Sequence, residues 1–344
     1  MPPLSIPGQT NVLSSRVGRG VAGRLGEQLG RFVVTTMEVP WQICRDRVGG
    51  QPVAVAMVDS MERDVVETQI ASLPACDVVL AIGGGRAIDF GKYLASERRC
   101  RLVSLPTVLS VDAFATPQAG LRINHRVEYV GDASPDPLVI DFDLLRTAPP
   151  ELNIAGAGDL LSIHTAAFDW ELAAAAGQSE YPFSAADVAA ARRILHSVHD
   201  HAAAIRECTD VGLQAIVEGY LRVNALCLPA GHYRVEEGSE HFLFYELEER
   251  LRRPFIHGRI VALGIYVMSA WQRNNHQQVV DLMDELGLDY RPQAMDIGRE
   301  DLTASLLSLA EYVRRSGRWY SVIDERPIDA RWVDDLCDRL YEDH

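Results

Sequence analysis

The sequence of 344 residues has few cysteines and no long apolar run. Its six cysteines are scattered without a Cys-x-x-Cys spacing, which argues against zinc fingers and a disulfide framework and favours reduced thiols. No uninterrupted apolar segment reaches the length of a membrane span, and residues 1–4 do not open a charged and apolar leader. We therefore expect a soluble, cytoplasmic protein that does not bind membranes.

Basic residues are also scarce. The chain has 33 lysines and arginines against 48 aspartates and glutamates, which gives a formal net charge of −15. Nucleic acids and anionic membranes are bound through clustered cations, so neither is expected as a partner. An anionic ligand would need a local cationic pocket on this acidic protein.

The chain divides into two regions of different character. After an irregular lead-in over residues 1–20, short Val- and Ile-rich segments alternate with helical patterns, which predicts a parallel sheet with helices on both faces. Beyond Pro149-Pro150, long Ala- and Leu-rich helical patterns replace the strands. We predict an α/β domain over 1–150 and an all-helical domain over 151–344. The predicted strands are 31–36, 53–58, 78–82 and 101–105, with a hairpin or ribbon formed by 126–130 and 138–140.

The most distinctive segment is Val78–Lys92. An apolar strand over 78–82 runs directly into Gly83-Gly84-Gly85, and an apolar-periodic helix follows. Glycines let the backbone approach a phosphate, and the free N–H groups and dipole of a helix start favour its charge. A glycine triplet alone indicates an ordinary tight turn more often than a phosphate site. The spacing GGGxxxDxxK after a buried strand is more specific, although it is not the GxGxxG fingerprint.

Three positions in the second region could supply metal ligands. Asp159 follows Gly-Ala-Gly at the predicted start of a helix over 159–176, His241 ends a Gly-Ser-Glu-His run, and His257 lies sixteen residues further on. One carboxylate and two imidazoles commonly bind catalytic zinc, with one position left open, and the same set suits ferrous iron. From spacing alone, a helix-capping aspartate and two ordinary histidines are the simpler interpretation.

These motifs, taken in order from about Arg31 to Leu263, resemble the superfamily of iron-containing alcohol dehydrogenases and dehydroquinate synthases. They are most similar to the glycerol-1-phosphate dehydrogenases, with glycerol dehydrogenases next. The matching segments are GGGRAIDFGK from Gly83, Leu105-Pro106-Thr107 with Ser110-Val111-Asp112, Gly158-Asp159-Leu160-Leu161 with TAAFDW from Thr165, Gly238-Ser239-Glu240-His241, and His257-Gly258.

The resemblance implies a Rossmann-like domain followed by an all-helical metal-binding domain of the dehydroquinate synthase type. It implies NAD(H) or NADP(H) as cofactor and one divalent metal, with zinc expected before iron. Asp159, His241 and His257 would hold the metal, and Asp112 would lie near the substrate. The residues expected at the cofactor, including two discussed below, are Glu38, Gly83, Gly84, Gly85, Asp89, Pro106 and Thr107.

Several neighbouring residues allow two interpretations. Glu38 could accept hydrogen bonds from the adenosine ribose and favour NAD, or be a solvated acid at a helix start. Asp89 could contact the cofactor or form a surface pair with Lys92. His164 is expected to point away from the metal, whereas Glu240 could orient a ligand or face water. Five cations could bind a substrate phosphate or be ordinary surface residues: Arg122, His125, Arg126, Arg234 and Arg259.

The sequence thus predicts a metal-dependent NAD(P)-linked dehydrogenase of a small polyol or its phosphate. The best candidate pair is sn-glycerol 1-phosphate and dihydroxyacetone phosphate, and we expect a homo-oligomer. One alternative is a sugar-phosphate cyclase of the dehydroquinate synthase type, although such enzymes usually have Glu in place of Asp159. Another is a non-catalytic binding protein on the same fold. The segment 242–245 lacks a histidine that glycerol-1-phosphate dehydrogenases usually carry, which leaves the substrate more open than the reaction.

Overall fold

The structure of the chain is a computed structural model that describes residues 10–342. The chain divides into two compact units, an N-terminal unit Met1–Asn153 and a C-terminal unit Ile154–His344. Each unit is described separately below. Residues 1–9 of the predicted lead-in lie outside the described residues.

The N-terminal unit is built on a six-stranded, wholly parallel sheet. The strands of this unit, including two that lie outside the sheet, are β1 (Ser15–Gly18), β2 (Phe32–Thr36), β3 (Ala54–Met57), β4 (Val78–Gly83), β5 (Arg101–Pro106), β6 (Ala119–Ile123), β7 (Arg126–Val130) and β8 (Pro135–Asp141). Its helices are α1 (Glu38–Val48), α2 (Arg63–Ser72), α3 (Gly85–Arg98) and α4 (Phe142–Leu145). The sheet order is β1-β8-β5-β4-β2-β3, whereas β6 and β7 form a separate antiparallel pair.

Burial explains why the four predicted strands are found at the predicted positions. Every residue of β2 and of β4 is buried, as expected for inner strands of a parallel sheet that is covered on both faces. On one face of the sheet, alternate apolar side chains of β2 and β4 belong to one core together with Leu25, Val103 and Val139. The prediction of a parallel sheet with helices is therefore confirmed.

Two predictions for this unit are wrong. The lead-in is not irregular throughout, since β1 pairs with β8 at the edge of the sheet. The segment 126–130 does not pair with 138–140, because β7 pairs with β6 and β8 lies between β5 and β1. The burial of the strands gives the physical reason. β8 is almost entirely buried and suits a covered parallel sheet, whereas much of β7 is exposed and suits a two-stranded ribbon.

The strand order creates a switch point between β2 and β4. The chain passes from β2 outward to β3, returns to β4 on the other side of β2, and continues to β5. In open parallel sheets, ligands bind beyond the carboxyl ends of the strands at such a point. Here those ends lead into Met37-Glu38 and into Gly83-Gly84-Gly85.

In the described residues of the C-terminal unit, all regular secondary structure is helical. Its helices are α5 (Pro150–Leu160, which begins before the unit boundary), α6 (Ile163–Ala175), α7 (Ala185–Asp200), α8 (Ala202–Arg206), α9 (Asp210–Ala230), α10 (Ser239–Leu251), α11 (His257–Gln272), α12 (His276–Leu286), α13 (Arg299–Ser316), α14 (Val322–Glu325) and α15 (Ala330–Tyr341). The predicted all-helical second half is confirmed. Within residues 10–342, no helix has both the length and the apolar character needed to cross a bilayer.

The predicted helix over 159–176 is two helices. Because Pro150 begins α5 at a position that proline favours, Asp159 lies in the last turn of α5 rather than at a helix start. The chain then turns before α6 begins at Ile163. The interpretation of Asp159 as a helix cap is therefore wrong.

Candidate active site

Three side chains of the C-terminal unit converge on one point. The Nε2 atoms of His241 and His257 lie 3.5 and 3.1 Å from Oδ1 of Asp159 and 3.3 Å from each other. These residues form the group of possible metal ligands found among the described residues, with ligand atoms all within 4.8 Å. The side chains of Asp159 and His241 are buried, and that of His257 is 17% exposed. The cluster thus has one partly open side.

Three helices supply these ligands, and glycines let the helices approach. Asp159 lies in the last turn of α5, whereas His241 and His257 lie in the first turns of α10 and α11. A Cβ at Gly258 would collide with the carbonyl oxygen of Ala155, so α5 and α11 make contact through their backbones. A Cβ at Gly264 would likewise meet the carbonyl oxygen of Glu240 on α10. Close helix packing therefore brings together ligands that are far apart in sequence.

Hydrogen bonds to neighbouring side chains orient two of the proposed metal ligands, His241 and Asp159. Nδ1 of His241 lies 2.9 Å from Oε1 of Glu240, an arrangement that leaves Nε2 directed at the cluster. Oε2 of Glu240 accepts a hydrogen bond from the Thr165 hydroxyl at 2.6 Å. The Tyr220 hydroxyl donates to Oδ2 of Asp159 at 3.1 Å, which leaves Oδ1 for the cluster. Glu240 is therefore buried against His241, a proposed metal ligand, and does not face water.

The charges in the cluster suit a cation. Burial alone would raise the pKa of Asp159, but His257 and His241 outweigh it and hold that pKa well below its usual range. Burial lowers the pKa of His241, but hydrogen bonds with Asp159 and Glu240 outweigh it and hold it well above its ordinary value. The carboxylate is thus kept ionised, and a bound metal ion would replace the proton on the imidazole. His164 is not part of this group, and its Nε2 lies 2.7 Å from the carbonyl oxygen of Asn274.

The glycine triplet of the N-terminal unit forms a sharp turn that has no room for side chains. Gly83 ends β4 with a φ of +145°, a backbone conformation that favours glycine. Added Cβ atoms at Gly83, Gly84 and Gly85 would lie 2.8 to 2.9 Å from Ala87, Val108 and Val111. Gly84 precedes α3 without a side-chain hydrogen bond to the helix start. This is the geometry expected of a helix N-terminus that binds phosphate.

Residues predicted at the cofactor surround this turn. The N–H of Thr107 donates to the carbonyl oxygen of Gly83 at 3.0 Å, and Pro106 is paired with Gly83 in the β4–β5 ladder. Glu38 is the exposed first residue of α1, at the end of the neighbouring strand. Asp112 begins a short 3-10 turn, directly after the Val111 side chain that lies against Gly85.

Asp89 and Lys92 form an ion pair that is not on the surface. Nζ of Lys92 lies 2.8 Å from Oδ1 of Asp89, and the Lys92 side chain is 2% exposed. The same ammonium donates to the hydroxyl of Thr116 at 3.1 Å and to carbonyl oxygens of the chain leading into β6. The interpretation as a surface pair is therefore wrong, and Lys92 holds the chain that follows β5 and its 3-10 turn.

The five candidate cations for a phosphate have partners of their own. Arg122, His125 and Arg126 belong to the β6–β7 ribbon of the N-terminal unit, where His125 lies 3.1 Å from Oε1 of Glu62. Arg259 is 3.3 Å from Oδ2 of Asp289. Arg234 is fully buried. Thr165 begins one of the segments that match the family, but that match implies no contact with a metal ligand, and Tyr220 lies in no motif.

Comparisons with known proteins show what this chain is similar to. A family model described as iron-containing alcohol dehydrogenase matches residues 20–149. A glycerol-1-phosphate dehydrogenase (NAD(P)+) of Thermoplasma acidophilum is 30% identical over 262 residues, which cover 75% of this chain and 72% of the relative. The enzyme of the same name from Aeropyrum pernix is 28% identical over 274 residues, with coverage of 79% and 74%.

Solved structures share the fold. A probable glycerol dehydrogenase from Sinorhizobium meliloti matches with a TM-score of 0.72 at 22% identity, covering 97% of both chains. A maleylacetate reductase from Agrobacterium tumefaciens matches with a TM-score of 0.70 at 16% identity, covering 99% of both. At these identities the likeness concerns the fold alone.

Proposed function

Because this chain belongs to the iron-containing alcohol dehydrogenase family, we propose that it is a metal-dependent, NAD(P)-linked dehydrogenase that interconverts sn-glycerol 1-phosphate and dihydroxyacetone phosphate. The substrate is taken from the relatives named glycerol-1-phosphate dehydrogenase. The observation that carries the reaction class is the buried convergence of Asp159, His241 and His257. In this proposal the N-terminal unit binds the cofactor, and the C-terminal unit binds the metal and the substrate.

The donor set fits a single divalent metal ion. One carboxylate oxygen and two imidazole nitrogens would give three protein ligands, the number that catalytic zinc sites commonly use when substrate or water also binds the ion. Glu240 and Tyr220 already occupy the other polar atoms of His241 and Asp159, so each of these two ligands has one atom left for the ion. We propose zinc in preference to iron, because buried imidazoles and a carboxylate form a common catalytic zinc set.

The turn at Gly83-Gly84-Gly85 fits the pyrophosphate of a dinucleotide. A phosphate can approach this backbone because no side chain stands in front of it, and the start of α3 supplies N–H groups. Glu38 follows the neighbouring strand at the switch point, where a carboxylate can accept hydrogen bonds from ribose hydroxyls. We therefore propose NAD(H) in preference to NADP(H), since a 2′-phosphate would be repelled by Glu38.

In the proposed reaction, a divalent ion held by Asp159, His241 and His257 would supply Lewis-acid catalysis at the substrate oxygen, and a bound nicotinamide would supply the acceptor or donor for the hydride-transfer step. The residues of this chain prepare that step. Asp159, His241 and His257 would hold the ion, and Glu240 and Tyr220 orient His241 and Asp159 toward it. Phe244 packs edge-on against the His257 ring, with centroids 4.9 Å apart, and shields one side of the cluster from water.

The test is NADH oxidation by zinc-loaded protein with dihydroxyacetone phosphate and dihydroxyacetone in parallel. The proposal predicts turnover with a strong preference for the phosphate. Release of inorganic phosphate without net change in NADH would indicate a cyclase instead, and binding of NADH without turnover of any polyol would indicate a binding protein. Absence of both activities in metal-loaded protein would contradict the proposed substrate.

We also propose a homo-oligomeric, cytoplasmic enzyme. The cysteines described in the structure are free, which is consistent with a reducing compartment. Light scattering after gel filtration would measure the oligomeric state directly, and a monomer would contradict this part of the proposal.

A further inference from the structure

Arg318 is a cation near the metal cluster that the sequence did not point to. It follows α13 in the loop before α14, and its guanidinium carbon lies 4.0 Å from the ring centroid of Tyr245. Nη2 has a long contact of 3.4 Å to the Tyr312 hydroxyl, and Nη1 lies 3.9 Å from Oε1 of Glu237. Nε is buried and has no hydrogen-bond partner among residues 10–342. A guanidinium has five N–H donors, so most of this capacity is unused.

Aromatic rings connect Arg318 to the metal ligands. Tyr245 lies one turn after His241 on α10, and the two ring centroids are 6.3 Å apart. Tyr245 also packs against Phe244 at 4.8 Å, and Phe244 packs edge-on against His257. Arg318 therefore contacts the aromatic ring that neighbours the His241 imidazole. A three-carbon substrate with one oxygen at the cluster could present its other end to this guanidinium.

The loop that carries Arg318 is tied to the start of α10. Oδ2 of Asp169 accepts a hydrogen bond from the N–H of Ser239 at 2.8 Å, and Oδ1 accepts one from the N–H of Val322 at 2.9 Å. The buried Arg234 donates to the carbonyl oxygens of Asp169 and Tyr320 at 3.3 and 3.0 Å. These bonds cross from one side of the loop to the helix that carries His241. They hold the backbone of the segment after Arg318 in place next to the start of α10.

We propose that Arg318 binds the phosphate at the end of the substrate that is remote from the metal. This inference rests on the proposed function, which supplies the phosphate. A guanidinium is suited to this role because its paired N–H groups match two phosphate oxygens. The side chain is 24% exposed and partly desolvated by Tyr245, so its charge is screened less than that of an open surface arginine.

Glu237 gives the site an opposing charge. Its Oε1 accepts a hydrogen bond from the Tyr245 hydroxyl at 2.8 Å, and it is too far from Arg318 for a hydrogen bond. The carboxylate therefore weakens the binding of an anion at Arg318 without blocking its donors. Glu237→Gln keeps the acceptor for Tyr245 and removes the charge. We expect this change to lower the KM for dihydroxyacetone phosphate, the opposite of a change at Arg318.

The decisive experiment compares Arg318→Gln with Arg315→Gln in zinc-loaded protein. Arg315 is a matched control, since its guanidinium also lies over an aromatic ring, at 4.9 Å from the Tyr312 centroid, but pairs with Glu249 at 2.9 Å. We expect Arg318→Gln to raise the KM for dihydroxyacetone phosphate on the order of tenfold to a hundredfold, the loss of a charged hydrogen bond. Both kinetic constants for dihydroxyacetone should stay unchanged, and Arg315→Gln should change neither substrate. Arg318→Lys should fall between wild type and Arg318→Gln.

Three results would overturn the inference. One is a wild-type KM for the phosphate in Arg318→Gln, and another is an equal rise for both substrates, which would indicate a structural role through Tyr245. Titration calorimetry with inorganic phosphate, in the presence of zinc, provides the third test and does not depend on turnover. Equal phosphate affinity in wild type and Arg318→Gln, or in Arg318→Lys if the glutamine variant does not fold, would contradict the assignment. A wild type that does not prefer the phosphate substrate would instead contradict the proposed function.

Discussion

The two candidate sites of this chain are built in different ways. The phosphate turn is made by consecutive residues, because Gly83, Gly84 and Gly85 join a strand directly to the helix that follows it. The metal cluster is made by Asp159, His241 and His257, which come from three helices that meet only in the folded unit. A site of the first kind can be recognised from a short pattern, whereas a site of the second kind depends on tertiary packing.

If the two sites are independent, single changes should separate metal binding from cofactor binding. The largest effect is expected for His257→Ala, which removes one of three ligands. Metal content should fall sharply, and turnover should fall on the order of a thousandfold or more because several kcal/mol of Lewis-acid stabilisation are lost. NADH affinity, measured by fluorescence titration, should remain close to wild type. Normal turnover in metal-depleted His257→Ala would rule out the mechanism.

The converse change is Gly84→Val. An added Cβ would lie 2.9 Å from Cγ2 of Val108, and a branched side chain would also cover the backbone that a phosphate must approach. We expect NADH affinity to fall on the order of a hundredfold, the scale of losing charged hydrogen bonds to the phosphates. Zinc content, measured by atomic absorption, should be unchanged. If NADH binds as in wild type, the triplet is only a turn.

A smaller effect on zinc affinity is expected from changes to the residues that support the metal ligands through hydrogen bonds. Glu240→Gln removes the charge behind Nδ1 of His241 but keeps its shape, and should weaken zinc binding about tenfold to a hundredfold. Thr165→Val removes only the hydrogen bond to the other oxygen of Glu240 and should have a smaller effect in the same direction. Competition titrations with a zinc chelator would measure both changes. Equal zinc affinity in wild type and Glu240→Gln would show that Glu240 does not support the ligand.

The comparison also explains what the sequence could predict of the fold. The inner strands β2, β4 and β5 could be predicted because strands covered on both faces are apolar over most of their length. The pairing of 126–130 could not be predicted in the same way, because the identity of a strand's neighbour depends on tertiary packing. For the same reason, β1 was missed in a segment rich in Ser and Gly.

The same distinction between local pattern and tertiary packing applies to the residues of the candidate sites. The neighbours of the glycine turn follow from the strand order, so Thr107 and Glu38 could be placed from the positions of their strands. The choice of Asp159, His241 and His257 among many acids and ten histidines required the resemblance to a family. Tyr220 and Arg318 could not be selected from the sequence, because they lie in segments that carry no recognised motif.

The most direct test of the central claim is the absorption spectrum of the cobalt(II)-substituted protein. Cobalt(II) in a site of one carboxylate and two imidazoles should give strong visible bands at one ion per chain. These bands should disappear in His257→Ala and persist in Gly84→Val. Equal spectra for wild type and His257→Ala, or no stoichiometric cobalt binding in wild type, would contradict the assignment of Asp159, His241 and His257 as the metal site.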